Sequence, residues 1–310
     1  MSPARPPKNV AASVCARLLE LSRRRKVEFQ QLLSGFAIER LLYRLGVSSY
    51  AGRFVLKGAM LFRVWSEGSH RATWDLDLLG RNVHAVPEVV SVIRDLCRIP
   101  VGDGIVSDPA SVTGEEIRDA DEYAGVRVRL VARLDEARIP MQVDVGFGDA
   151  VVPEPTLQRY PTLLDHPPPH ILVYPREAVV AEKCEAMVSL GVTNSRMKDF
   201  YDVYQLASSF AFEGSSLARA IRATFEQRGT PFPGSDPLVL TPGFLGAPER
   251  QTQWRAFLRR GRLDAPPDAG ELAEVLGRFL KPVLQAAAQG EGFAAKWSPG
   301  GPWRRVKSKI

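Results

Sequence analysis

VLKGAMLFRVWSEGSHRATWDLDLLG, residues 55–80, joins two short apolar runs through a polar middle. The first run reads as a strand ending in Lys57-Gly58, and AMLFRVW reads as the opening of a helix. ATWDLDLLG reads as a second strand, because Trp74, Leu76 and Leu78 alternate with Asp75, Asp77 and Leu79. That alternation sends Trp74, Leu76 and Leu78 towards a core and leaves Asp75 and Asp77 together on the other face. Two carboxylates so close repel each other unless a cation lies between them. Mg²⁺ suits the position, since it binds through one or two carboxylates and completes its shell with water and phosphate oxygens. A strand ending in Lys57-Gly58 before a helix exposes backbone N–H groups that can cradle a phosphate. Arg71 and Thr73, just before the acidic pair, offer further phosphate donors. A solvated surface Asp-x-Asp is the competing reading.

Around this stretch the pattern is that of a mixed α+β fold. Residues 9–48 place Leu18, Leu21, Phe29, Leu32, Phe36, Leu41 and Leu45 at helical spacing, with one helix ending near the Arg23–Lys26 charge run and a second near Gly46. Residues 86–98 read as a helix. YAGVRVRLVARLD alternates from Tyr123 to Leu134, and IPMQVDVGFGD supplies another strand, closed by Gly146 and Gly148. On it Asp144 sits among Val143, Val145 and Phe147. A third carboxylate on a neighbouring strand suits a two-metal phosphoryl or nucleotidyl transfer site; an aspartate capping the strand end is the alternative.

The pattern changes near residue 151. VVPEPTLQRYPTLLDHPPPHILVYP is proline-rich and reads as an extended crossing segment, dividing residues 1–150 from a mainly helical part over 151–310. Helices follow in REAVVAEKCEAMVSLG, which carries Lys183, and in RMKDFYDVYQLASSF. In the latter, Asp199 and Asp202 share one face opposite the apolar stripe of Phe200, Val203, Tyr204 and Ala207. A surface helix with a Lys198–Asp202 pair is the simplest account of these charges. Helices continue over 214–285, broken by the Pro/Gly-rich stretch 229–248. The basic end, KWSPGGPWRRVKSKI, is expected to be poorly ordered, with base stacking by Trp297 and Trp303 as the alternative.

The chain has 310 residues, 45% of them apolar and 25% charged, enough for one large or two modest domains and against a disordered chain. Its net charge of +6 and pI near 9.3 favour acidic partners, nucleic acid first. Cys15, Cys97 and Cys184 are far apart and form no CxxC pair, which argues against a disulfide framework and a zinc site. His166 and His170 flank three prolines and cannot form a helical HxxxH site, while His70 and His84 read as loop residues. No apolar run approaches the ~20 residues of a membrane span, so a cytoplasmic protein with no membrane partner is expected.

The segments FAIERLLYRLG…RFVLKG, RATWDLDLLG, MQVDVGFGD, PREAVVAEKCEAMVSLG and RMKDFYDVYQL occur together, in this order, in a pattern that resembles the AbiEii nucleotidyltransferase toxins of the AbiE and MenAT-type toxin–antitoxin pairs. The resemblance covers about residues 28–285. It implies a polymerase-β-like nucleotidyltransferase core with a helical C-terminal part. It also implies a nucleoside triphosphate as substrate, Mg²⁺ or Mn²⁺ as cofactor and a cognate antitoxin as partner. Some members add nucleotides to the 3′ end of tRNA and so block aminoacylation; others are linked to GTP. By motif, Asp75, Asp77 and Asp144 would be catalytic and metal-binding. Lys183 and Asp202 would be catalytic, and Lys57, Gly58, Arg71, Lys183 and Asp199 would bind the nucleotide. The family commonly reads KGG followed by Ser or Thr, whereas this chain reads Lys57-Gly58-Ala59-Met60. Ala59 narrows the turn's conformational choices, and Met60 lacks the hydroxyl that could bind a phosphate.

The reading reached from the sequence is a metal-dependent nucleotidyltransferase toxin acting on RNA, most naturally the tRNA acceptor end, and inhibiting translation. The basic runs at Arg23–Lys26 and Arg304–Lys309 suit such a substrate. The alternatives are transfer to a protein or small-molecule hydroxyl, and a degenerate member that only binds RNA or a partner protein. A DxD glycosyltransferase leaves the Lys-Gly turn and the KDxxD-like helix unexplained.

Overall fold

The alternating residues on either side of Asp135-Glu136 form a long antiparallel hairpin in the computed structural model, which describes residues 9–66, 71, 73–83, 85–118 and 124–306. His70 and His84 lie outside the described residues. The hairpin strands are β5 (Ala124–Leu134) and β6 (Ala137–Phe147), and Asp135 takes the left-handed conformation that a two-residue connection needs (φ 53°). Strand β6 runs parallel to β2 (Asp75–Gly80), which is antiparallel to β1 (Phe54–Lys57). Beyond β1 come β8 (His170–Val173), parallel to it, and β7 (Thr156–Arg159). On the far side, β3 (Ile105–Ser107) and β4 (Thr113–Arg118) both pair with β5, completing a mixed sheet of eight strands.

One face of this sheet is apolar. Leu76 and Leu78 of β2, Val126 and Val128 of β5, and Ile139, Val143 and Val145 of β6 are all buried. Helices α1 (Val10–Arg25), α2 (Phe29–Val47) and α4 (Val86–Arg98) pack against these strands; the single turn α3 (Phe62–Trp65) follows the Gly58–Leu61 3-10 turn. The Arg23–Arg25 run forms the last turn of α1, where cations are favoured by the helix dipole, and Lys26 closes it in the left-handed conformation.

Charge is also buried here. Arg40 and Arg44 of α2 both grip Asp103, with Arg40 Nε to Oδ2 at 3.1 Å and Arg44 to the two oxygens at 2.7 and 3.2 Å. Glu39 accepts a 2.7 Å bond from the Leu163 backbone N–H, and burial raises its pKa above the ordinary carboxylate range. Breaking such a set by removing one partner costs about 3–5 kcal/mol, because the other charge stays desolvated.

The chain divides into two compact units, one of Met1–Gly148 and Thr156–Val173, the other of Asp149–Pro155 and Tyr174–Ile310. The proline-rich segment therefore does more than cross: its β7 and β8 extend the sheet of the first unit, and Tyr160 between them is fully buried. Parallel pairing of β8 with β1 joins residues far apart in sequence, and no local pattern announces it.

The second unit is mainly helical: α5 (Arg176–Leu190), α6 (Met197–Ser209), α7 (Gly214–Gln227), the short α8 (Pro242–Leu245), α9 (Pro248–Gly261) and α10 (Ala269–Gln289). A small antiparallel sheet of β9 (Phe212–Glu213), β10 (Ala295–Trp297) and β11 (Trp303–Arg305) closes it. This corrects the expectation of a poorly ordered tail over the residues described. Trp297 is 2% exposed and donates Nε1–H to the Ala207 carbonyl at 2.6 Å. Trp303 stacks on Phe279 and donates to the Phe279 carbonyl at 2.9 Å. Both indoles have buried partners for ring and N–H alike, which is what fixes a tryptophan in place. Among the described residues no helix is long and apolar enough to cross a membrane.

Candidate active site

Strand register builds the site. Lys57 of β1 lies opposite Asp77 of β2, Asp77 opposite Asp144 of β6, and Asp144 opposite Arg127 of β5. Four strands thus carry one row of charge, positive at each end and negative at the two central positions. The next row places Asp75 opposite Gln142 and Gln142 opposite Arg129. Because side chains alternate along a strand, both rows stand on the face opposite the apolar core. Asp75, Asp77 and Asp144 are all half-buried there.

Gly58 is shaped for this row. Its φ of 72° lies in the left-handed region, and a Cβ built on it would sit 2.7 Å from Asp77 Cγ and 2.9 Å from Asp77 Cβ, closer still to Oδ2. The Asp77 carboxylate therefore rests against the bare backbone of the turn. Ala59 and Met60 point inward instead, both buried, and the Met60 sulfur accepts from the Tyr160 hydroxyl at 3.8 Å. Met60 is therefore a core-filling residue and presents no hydroxyl at the turn.

Asp144 has a definite partner. Arg127 donates from Nε to Oδ1 at 2.9 Å and from NH2 to Oδ2 at 2.8 Å, a two-pronged charge-assisted pair, and Gln142 Nε2 adds a 3.2 Å bond to Oδ2. The hydrogen bonds that Arg127 donates to Asp144 raise its pKa above the ordinary value, with further support from the charges of Asp144 and Asp75. Arg127 was not singled out in the sequence, though its place is countable: from Leu134 opposite Ala137, stepping outward along the hairpin brings Arg127 opposite Asp144.

Oxygen donors in an Asp-x-Asp on one strand face suit a hard divalent cation that takes one or two carboxylates. Among the described residues, no group of three His, Cys, Asp or Glu side chains is arranged to hold a metal ion, and Asp144 is committed to Arg127. The donor set that fits a cation is Asp75 with Asp77. Trp74 departs from expectation: it precedes β2, is 45% exposed, and does not join the core. Thr73 donates to the Asp75 carbonyl at 3.4 Å, and Arg71 is half-buried just before it.

The other expected residues belong to the second unit. Lys183 of α5 reaches Asp199 Oδ1 at 2.6 Å and Asp202 Oδ2 at 2.9 Å, both on α6. Asp202 is fully buried and Asp199 nearly so, which corrects the surface-helix account with its Lys198–Asp202 pair. Neighbouring α5 residues extend the ionic cluster. Arg228 donates to Glu185 at 2.6 Å and approaches Asp149 at 3.5 Å, while Thr230 donates to Glu185 at 2.6 Å. Burial works against the Arg228 charge, but Glu182, Glu185 and Asp149 outweigh it and hold its pKa above the ordinary value. Burial likewise pushes the Tyr174 hydroxyl well above its usual pKa, and it donates to Asp149 at 3.0 Å.

The profile of the family described as "Nucleotidyl transferase AbiEii toxin, Type IV TA system" matches residues 40–288. Two solved structures from Helicobacter pylori are similar to the chain. JHP933 is 17% identical, with a TM-score of 0.46 over 84% of this chain and 93% of its own. A second protein, described as a candidate nucleotidyltransferase, is 15% identical, with a TM-score of 0.47 over 86% of this chain and all of its own. No curated protein matches. The mixed sheet followed by a helical C-terminal part is the α+β order expected from the sequence, and the chain belongs to the AbiEii nucleotidyl transferase toxin family of type IV toxin–antitoxin systems.

Proposed function

We propose that this family member transfers a nucleotide from a nucleoside triphosphate to the 3′-hydroxyl of an RNA, with the tRNA acceptor end as its substrate, and that it thereby inhibits translation. The observation that carries the proposal is the Lys57–Asp77–Asp144–Arg127 row lying against the Gly58 turn. Lys57, Arg71 and the N–H groups of the turn bind the phosphates. Asp75 and Asp77 would hold a divalent cation, Mg²⁺ or Mn²⁺, which when bound supplies charge stabilisation at the α-phosphate. The attacking hydroxyl oxygen forms a bond to the α-phosphorus as the bond to the bridging oxygen breaks, and pyrophosphate leaves. The hydroxyl proton passes to an Asp144 oxygen, and Arg127 fixes where that carboxylate points. Lys183, held by Asp199 and Asp202 within the second unit, is carried as a phosphate-binding lysine by the family motif alone. The positive net charge favours RNA as the acceptor, and type IV membership implies an antitoxin as the natural partner.

Two observations favour one second reading, a member that binds RNA or a partner protein without transfer: Met60 is buried and offers no hydroxyl to a phosphate, and Arg127 engages Asp144. One assay separates them. Protein is incubated with Mg²⁺, total tRNA and each α-labelled nucleoside triphosphate in turn, beside Asp77→Ala. Label in tRNA from the parent protein and none from the variant supports transfer. A folded parent that labels nothing supports the binding-only reading.

A further inference from the structure

A cavity of about 480 Å³ opens beside Asp75 along β6 and β5, bounded also by Gln30 and Ser34 of α2 and by the buried Leu130 and Met141. Trp74, Gln142, Pro140, Arg129 and Arg138 line it with Asp75. All stand in the first unit, and the row Asp75–Gln142–Arg129 leads from the acidic pair into it. Trp74, Arg129 and Arg138 are exposed, and Arg129 is steadied by an ion pair with Glu115 at 2.7 Å. The combination is an aromatic face, an apolar floor and two guanidinium groups, which is how single-stranded nucleic acid is held without reading its sequence.

The side of the carboxylates on which this groove lies identifies its occupant. The Lys57–Gly58 turn is on the β1 side of Asp77, and the groove is on the β6 and β5 side. In phosphoryl transfer the attacking and leaving oxygens lie roughly in line on opposite sides of phosphorus. A triphosphate whose leaving group rests at the turn therefore receives its attacking hydroxyl from the groove side, past Asp144. We infer that the groove seats the 3′-terminal nucleotides of a single-stranded RNA acceptor, with a base stacked on Trp74 and backbone phosphate at Arg129 and Arg138. This assignment rests on the nucleotidyl-transfer reading and specifies where its acceptor binds.

The test is anisotropy of a 5′-fluorescein RNA tetranucleotide titrated with parent protein, Trp74→Ala and Arg138→Glu, with nucleoside triphosphate affinity measured separately by calorimetry. Both side chains are exposed, so both variants are expected to melt with the parent. Trp74→Ala should weaken tetranucleotide binding about tenfold. Arg138→Glu should weaken it and lower the salt slope by about one. Triphosphate affinity should not move in either. Unchanged RNA binding in both variants overturns the assignment. So does a loss confined to triphosphate affinity, which would give the groove to the incoming base. Transfer is scored independently: a parent that labels no acceptor while Trp74→Ala still loses the tetranucleotide leaves the groove standing and removes the enzymatic reading.

Discussion

Replacing Gly58 by alanine tests whether the turn and the Asp77 carboxylate are built as one unit. An alanine at φ 72° costs about 1–2 kcal/mol in backbone strain. Its Cβ would lie 2.7 Å from Asp77 Cγ, where carbon atoms settle at about 3.5–4.0 Å, so the carboxyl group must retreat by about 1 Å. Driving Asp77 off its preferred rotamer adds about 0.5–1.5 kcal/mol. Together these predict a loss of about 1.5–3.5 kcal/mol from the first unit, or a fall of about 3–14 °C in its melting temperature. A displacement of about 1 Å in a group that positions the reaction costs about a hundredfold in rate. Single-turnover transfer of α-labelled nucleotide, measured well below the new melting temperature, reads the second effect separately from the first. A folded Gly58→Ala protein that transfers within threefold of the parent would refute the role given to Asp77.

Three further outcomes follow from the geometry. Arg127→Ala leaves the half-buried Asp144 without its two-pronged partner and should cost about 1–2 kcal/mol in urea unfolding, with a fall in transfer that Arg127→Lys only partly restores; unchanged stability and transfer would show the pair to be incidental. Lys183→Met strips the cation from buried Asp199 and Asp202 and should destabilise the second unit by about 3–5 kcal/mol; a loss below about 1 kcal/mol would mean that the carboxylates find other compensation. Burial raises the Cys97 thiol to about 11 and the Cys184 thiol to about 12, so both stay protonated at pH 8, below either value. Iodoacetamide at that pH should mark the partly exposed Cys15 alone in folded protein, as peptide mass spectrometry would read, and early labelling of Cys184 would contradict its burial.

Local patterns in the sequence were enough for the elements that build the acidic row. Alternation in ATWDLDLLG and MQVDVGFGD placed Asp75, Asp77 and Asp144 on strands, and the parallel register of β2 and β6 then set Asp77 opposite Asp144. Arg127 could have been found by counting across the Asp135-Glu136 turn, because hairpin register follows from turn length. Other features depended on partners far along the chain. Lys183 meets Asp199 and Asp202 through packing of two helices, so a local i,i+4 rule chose Lys198 instead. Trp297 and Trp303 looked like tail residues because Phe279 and the Ala207 carbonyl, which fix them, are distant in sequence. Trp74 was drawn inward by extending the strand pattern one residue too far; β2 begins at Asp75, and the indole faces the groove.

The claim at the centre of this account is a bond between an RNA 3′-oxygen and a nucleotide's α-phosphorus. The most direct measurement compares total tRNA with the same tRNA whose terminal ribose has been oxidised by periodate, reading α-label incorporation and pyrophosphate release together. The account predicts one pyrophosphate released per nucleotide incorporated with intact tRNA, and neither with the oxidised RNA or with Asp77→Ala. Label that enters oxidised tRNA as well as intact tRNA, or enters without pyrophosphate, would contradict it.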